Sequence, residues 1–152
     1  MILVFLTLLH LPVASAAEPV VPVASAAVAP DIISRYEAIR VALVADDVTA
    51  ARANAGELAA ASGNDSSLAS AAGAVEGAAD LPAARSAFGE LSRLLVTRIA
   101  AGNPRPKLFA YHSPMFLGYA WWIQSKAGIA NPYMGQAMPD CGEEMSLKAA
   151  AK

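Results

Sequence analysis

Apolar residues recur at helical spacing from residue 31 onward. In the first stretch they follow one another at offsets of four, three and four: Ile32, Tyr36, Ile39 and Leu43. This spacing places them on one face of a helix that begins with Asp31 as its N-cap and ends near Ala45. Asp46-Asp47 then offers a cap for a second helix, which should stop at Gly63.

Two further helices are predicted downstream. A weaker one covers Ser67 to Ala79, and Asp80 caps the best one, which ends at Gly102-Asn103-Pro104. The buried stripe of this last helix consists of Ala84, Phe88, Leu91, Leu95 and Ile99. No run of alternating β-branched residues competes with the helical pattern. We therefore predict an all-α fold, an up-and-down bundle of three to four helices.

The two ends of the chain differ in composition from its middle. Residues 1–17 form an apolar run that closes on Ala14-Ser15-Ala16, which is typical of a cleavable signal peptide and predicts a periplasmic protein. A membrane anchor is the alternative, although the run is short for a span of about 20 residues. Residues 18–30 alternate Pro with small residues and should be a linker, and residues 146–152 should be a frayed tail.

The folded domain should therefore cover residues 31–145, with the helical bundle in 31–102 and a second segment in 103–145. This second segment is rich in Met, Pro, Gly and aromatic residues, so we expect irregular turns packed on the bundle. The formal net charge is −2 and the basic residues are scattered, which argues against a nucleic-acid partner. No other segment is apolar enough to span a membrane.

The residues with soft-metal chemistry are concentrated in the second segment. Once residues 1–17 are removed, every remaining His, Cys and Met lies between residues 112 and 145: His112, Met115, Met134, Met138, Cys141 and Met145. Thiolate and thioether ligands suit Cu(I) better than Mg, Ca or Mn, and zinc usually takes four Cys or His ligands. The predicted metal ligands are Cys141, Met138, Met115, His112 and Met134.

A structural role for the same residues is the alternative. Met fills irregular cores, and a lone Cys is often a small buried hydrophobe. The aromatic residues should lock the segment to the bundle, although the adjacent Trp121 and Trp122 cannot both point inward, so one could face a partner protein or a cation. Catalysis is not expected, because Cys141 has only His112 as a base and no third orienting residue.

The second segment contains four short motifs: Tyr111-His112-Ser113-Pro114-Met115, Trp122-Ile123-Gln124, Ile129-x-Asn131-Pro132-Tyr133-x-Gly135 and Met138-x2-Cys141-Gly142. Together these motifs resemble a known bacterial family, domain-of-unknown-function family 3347 (DUF3347). The helical half is similar to the family around Asp46-Asp47 and from Asp80 to Ser92. The resemblance covers about residues 31–144.

This resemblance implies an exported protein in a copper or heavy-metal efflux context, since members occur alone or fused to periplasmic adaptor subunits. It also implies that Met115, Met138 and Cys141 match the family's candidate ligands. The chain departs from the family at Ser113, where a Cys is common. The departure removes one soft ligand, or one half of a disulfide. An interaction module of the cell envelope without metal is the second function that the sequence leaves open.

Overall fold

Four helices form the first part of the structure, a computed structural model that describes residues 27–151. They are α1 (Pro30–Val44), α2 (Val48–Ala61), α3 (Ser66–Glu76) and α4 (Leu81–Ala101). These bounds lie close to the predicted ones. The predicted signal peptide and most of the predicted linker fall outside the described residues.

Aspartates begin three of these helices. The side chains of Asp47, Asp65 and Asp80 each accept a hydrogen bond from the amide three residues ahead, which satisfies an otherwise free N–H of the first turn. The predicted cap of α1 is wrong. The helix begins at Pro30, its N-cap is Ala29, and Asp31 lies inside the first turn, where it pairs with Arg35.

The helical core combines small and large side chains. Buried alanines on α2, α3 and α4 let the helices approach closely, while Tyr36 of α1 stacks on Phe88 of α4 with ring centroids 5.0 Å apart. The Tyr36 hydroxyl also shares a hydrogen bond of 2.7 Å with Ser92. Burial raises the pKa of the Tyr36 phenol, so it stays neutral inside the bundle.

A three-stranded antiparallel sheet follows the bundle, and the prediction of an all-α fold is therefore wrong. Its strands are β1 (Phe109–His112), β2 (Trp121–Gln124) and β3 (Glu143–Met145), in the order β2-β1-β3. Ala110 of β1 lies opposite Ile123 of β2 and Met145 of β3. The protein thus has a mixed α/β fold, in which segment 103–145 contributes the sheet and its connecting loops.

The sheet packs against α4, and a short helix α5 (Leu147–Ala150) covers part of it. The structure differs here from the frayed tail predicted for residues 146–152. The Ser146 side chain caps α5 by accepting from the amide of Ala149, and Ala150 is buried. The Tyr119 hydroxyl donates a hydrogen bond of 2.9 Å to the carbonyl of Ala150, which fastens α5 to the β1–β2 connection. None of the helices within residues 27–151 has the length and hydropathy needed to cross a bilayer.

Candidate metal-binding segment

The five predicted ligands lie on three separate pieces of the second segment. His112 ends β1, Met115 is in the loop that joins β1 to β2, and the other three follow β2 in the connection to β3. Met115 is 61% exposed and Met138 is 37% exposed. Met134, His112 and Cys141 are half-buried, and Cys141 is a free thiol.

A tight turn joins two of these ligands. The amide of Cys141 donates a hydrogen bond of 3.2 Å to the carbonyl of Met138, with Pro139 and Asp140 between them. A bond between residues i and i+3 with Pro in the second position defines a β-turn, whose ends lie within about 7 Å of each other at Cα. Met138 and Cys141 are therefore neighbours in space as well as in sequence.

The methionines of residues 27–151 lie outside the hydrophobic core. The buried cluster consists of aliphatic and aromatic side chains and alanines, and the half-buried hydrophobic residues packed against it include no methionine either. Burying a methionine side chain would stabilise the protein by about 1.5–3 kcal/mol, so leaving several accessible forgoes that gain. The interpretation of these methionines as core fillers does not agree with this placement.

Asn131 holds the segment together, a role that the sequence analysis did not assign to it. Its carboxamide Nδ2 donates to Ser113 Oγ at 2.9 Å and to the carbonyl of Cys141 at 2.5 Å. Its Oδ1 accepts from the amides of Tyr133 and Met134 at 2.9 and 3.2 Å. The Asn131-Pro132 dipeptide is of a kind that favours a turn. No local sequence pattern predicts the hydrogen bonds of this side chain to the distant residues Ser113 and Cys141.

The main chain of Asn131 adds two more links. Its amide donates to the carbonyl of Pro139 at 2.8 Å, and its carbonyl accepts from the amide of Gly135 at 3.0 Å. Asn131 thus bonds to the β1–β2 loop, to its own turn and to both ends of the Pro139–Cys141 stretch. Three pieces of chain that carry predicted ligands meet at this one residue.

Two arginines tie the same segment to the bundle. Arg40 of α1 donates to the carbonyl of Ala130 at 3.0 Å and pairs with Glu37. Arg85 of α4 donates to the carbonyl of Pro132 at 2.9 Å and to Asp46 Oδ1 at 2.6 Å. Both guanidinium groups are largely buried. The resemblance had marked Asp46 and Arg85 only as matching positions, and the structure assigns them this anchoring role.

The Ser113 hydroxyl forms a hydrogen bond that accounts for a serine at this position. The side chain is fully buried, and its oxygen accepts the hydrogen bond from Asn131 described above. A hydroxyl is a stronger acceptor than a thiol. Ser113 therefore serves as a hydrogen-bonding partner for Asn131 rather than as an accessible ligand.

The aromatic residues pack the segment onto α4, as the sequence predicted for most of them. Tyr133 is buried against Phe88 and Phe116, with ring centroids 5.8 and 4.6 Å away. Burial raises the pKa of the Tyr133 phenol well above its ordinary value, and its hydroxyl donates to the carbonyl of Trp121. Trp122 is fully buried, whereas Trp121 is only half-buried.

The His112 ring packs against another aromatic side chain, unlike the sulfur ligands. Its ring packs against Trp121, with centroids 4.9 Å apart, and its strand partner on the other side is Glu143. The main chain nonetheless runs beside the sulfur-bearing segment, because a Cβ at Gly142 would lie 3.3 Å from the His112 carbonyl oxygen.

The donor chemistry fits a soft metal. Within residues 27–151, no three His, Cys, Asp or Glu side chains cluster closely enough to hold an ion. The predicted set instead combines one thiol, one imidazole and methionine thioethers, which is the combination that Cu(I) prefers. The Met138–Cys141 turn supplies two of these donors from adjacent positions.

No protein-family model matches the chain, and no match is found among the curated proteins or the solved structures.

Proposed function

We propose that the protein is an exported periplasmic domain that binds Cu(I) and serves a copper efflux or resistance system as a metal-binding protein, not as an enzyme. The observation that carries this proposal is the Met138–Cys141 turn, in which a thiol and an exposed thioether flank only two residues of chain. Met134 and Met115 are on the two pieces of chain that Asn131 holds beside this turn.

The accessible methionines support the same proposal. Thioether sulfur is a good ligand for Cu(I) and a poor hydrogen-bond acceptor, so an exposed methionine gains little from water but much from a soft cation. In the described part of the chain, the core is complete without them. His112 is the least direct member of the set, since its ring already packs on Trp121.

The export and efflux parts of the proposal rest on the sequence alone. They follow from the apolar run at residues 1–17 and from the resemblance to DUF3347, whose members accompany heavy-metal efflux adaptors. In such a setting, a half-exposed site is suited to receiving a metal ion and passing it on. A fully buried site would release the ion slowly.

A titration with Cu(I) against a competing chelator tests the proposal. The reduced protein, produced from residue 18 onward, should bind Cu(I), and the Cys141→Ser, Met138→Leu double variant should lose more affinity than the roughly 10–100-fold typical of outer-sphere changes. Met145→Leu is the matched control, because it removes a thioether from β3 rather than from the turn. Equal affinities of the wild type and the double variant would contradict the proposal.

A second candidate function, an interaction module of the envelope, is favoured by one observation. Leu117 is 94% exposed and Met115 is 61% exposed, so the β1–β2 loop presents two large apolar side chains to solvent. A contiguous exposed apolar patch is typical of protein contact sites, and these two side chains are two positions apart in one loop.

Leu117→Ser separates the two functions, because Leu117 has no metal-binding chemistry. The probe is a purified periplasmic adaptor subunit of a heavy-metal efflux system, the partner class that the resemblance implies. The interaction function predicts that the wild type binds this adaptor without copper and that Leu117→Ser does not. If the wild type does not bind it, this second function loses its support while the copper proposal keeps its own test.

A further inference from the structure

The Asn131 side chain is fully buried and uses its whole hydrogen-bonding capacity near the sulfur ligands. Both hydrogens of the amide nitrogen have acceptors, Ser113 Oγ and the Cys141 carbonyl, and the oxygen accepts from two amides. A buried polar group is costly unless its hydrogen bonds are made. Because all of them are made here, the side chain is held in a single orientation.

The position of Cys141 depends on this orientation. Its amide is tied to Met138 within the β-turn, and its carbonyl is tied to Asn131. The two contacts fix the main chain on both sides of the Cys141 Cα atom. The amide of Met134 is fixed by the same carboxamide through Oδ1. A single side chain therefore sets the relative placement of two sulfur-bearing residues that are seven positions apart.

We infer that Asn131 is the positioning residue of the copper site, and this inference rests on the proposed function. Asn131 itself binds no metal. It holds the main chain of Cys141 and Met134 in place before the ion arrives, which lowers the entropy lost on binding. Outer partners that orient ligands in this way typically change metal affinity by 10–100-fold when they are mutated.

Two substitutions separate this role from a general effect on folding. In Asn131→Asp, one carboxylate oxygen still accepts from the amides of Tyr133 and Met134. The second oxygen can accept from the Ser113 hydroxyl. It cannot donate to the Cys141 carbonyl, so that hydrogen bond is lost. Asn131→Ser is neutral and can still cap its local turn, but it is too short to reach Cys141. Each variant breaks the link to Cys141 and keeps part of the turn.

The matched controls leave that link in place. Ser113→Ala removes the other acceptor of Asn131 Nδ2 and leaves the bond to Cys141 intact. Asn64→Asp makes the same chemical change as Asn131→Asp at an exposed turn residue. Circular dichroism and thermal unfolding of each metal-free variant establish which of them are folded.

Three measurements on the folded variants follow. The first is Cu(I) affinity, which should fall by about tenfold in the Asn131 variants and stay unchanged in both controls. The second is the ultraviolet thiolate-to-copper charge-transfer absorption at saturating Cu(I), which should shift only in the Asn131 variants. The third needs no metal: the alkylation rate of Cys141 should rise when its carbonyl is released.

Each outcome decides the inference. Unchanged affinity, absorption and alkylation in a folded Asn131 variant would overturn it, while the wild type and the Cys141→Ser, Met138→Leu variant would still support copper binding. If Ser113→Ala lowers Cu(I) affinity as much as the Asn131 variants do, the loss comes from the buried Ser113–Asn131 hydrogen bond. The link between Asn131 and Cys141 is then not its source, and the inference is overturned. If both Asn131 variants are unfolded, Asn131 is a folding residue and the positioning role is rejected. If the wild type binds no Cu(I), the proposed function fails first.

Discussion

Gly135→Ala should destabilise the protein far more than an equivalent change at another left-handed glycine. Gly135 has φ +53°, and a Cβ there would lie 1.8 Å from Asp46 Oδ1 and 2.1 Å from Arg85 Nη2. Gly63 has nearly the same φ, +57°, and nothing within 4 Å of an added Cβ. The two positions share the backbone strain and differ only in the clash.

The magnitude follows from these two contributions. Left-handed backbone costs a non-glycine residue about 1–2 kcal/mol, which is the whole expected effect of Gly63→Ala. At Gly135 the added methyl must also displace the Arg85–Asp46 pair, and a hydrogen bond to a charged group contributes about 1.5–3 kcal/mol when it is shielded from water. Asp46 is 39% exposed, so we take the lower part of that range. Gly135→Ala should therefore cost about 2 kcal/mol more than Gly63→Ala.

Urea unfolding followed by tryptophan fluorescence measures this difference, since Trp122 is fully buried in the sheet. For a domain of this size, 2 kcal/mol corresponds to a fall of about 6 °C in Tm. Asp46→Gly should reduce the extra cost, because it removes the nearer clashing atom and frees the Arg85 side chain. Equal losses in Gly135→Ala and Gly63→Ala would refute the reasoning.

Two further predictions concern pH. The hydrogen bond from Arg98 holds the pKa of Asp65 below its ordinary value of 3.8, so its contribution to stability is present above that pH and is lost as the carboxylate is protonated. The difference in unfolding free energy between wild type and Arg98→Gln should shrink as the pH falls below 3.8; a constant difference would exclude the ion pair as its source. Burial raises the pKa of Tyr119 to about 12 from 10.0, so its contribution is complete below pH 10 and is lost as pH rises toward 12. Between pH 10 and pH 12, the free energy of unfolding should fall less in Tyr119→Phe than in the wild type. If it falls equally with pH in both proteins, this reasoning is contradicted.

The helices could be predicted because their signals are local. Asp47 and Asp80 are caps immediately before apolar stripes of period 3.6, and both the cap and the stripe are visible in the sequence. The predicted cap of α1 is wrong because Pro30 is itself favourable in a first turn, so the helix starts one residue before Asp31.

The sheet could not be predicted because its strands lack the usual period of two. Tyr111 and Ala110 of β1, like Trp122 and Ile123 of β2, are adjacent in sequence and all buried, so the strands show no alternation of apolar and polar residues. β3 has the sequence Glu-Glu-Met, whose exposed carboxylates give no hydrophobic signal at all. Strands of three or four residues form because they pair with strands far away in the sequence. A short stretch of sequence does not contain this information.

The candidate site was predicted as a set of residues but not as a geometry. Composition identified the sulfur cluster, but the turn that brings Met138 and Cys141 together was not predicted. Asn131 and Arg85 also make hydrogen bonds to residues 10 to 47 positions away. Such long-range polar contacts depend on the complete fold, so they cannot be read from one sequence.

The separation of the methionines from the core has a consequence for damage by oxidants. Conversion of methionine to its sulfoxide makes the side chain polar, and it disrupts proteins whose cores contain the residue. Met115 and Met138 already face solvent, and the core of residues 27–151 holds no thioether. Hypochlorous acid or peroxide should therefore change the soft-ligand chemistry of this protein while leaving it folded, and methionine sulfoxide reductases could restore that chemistry without refolding.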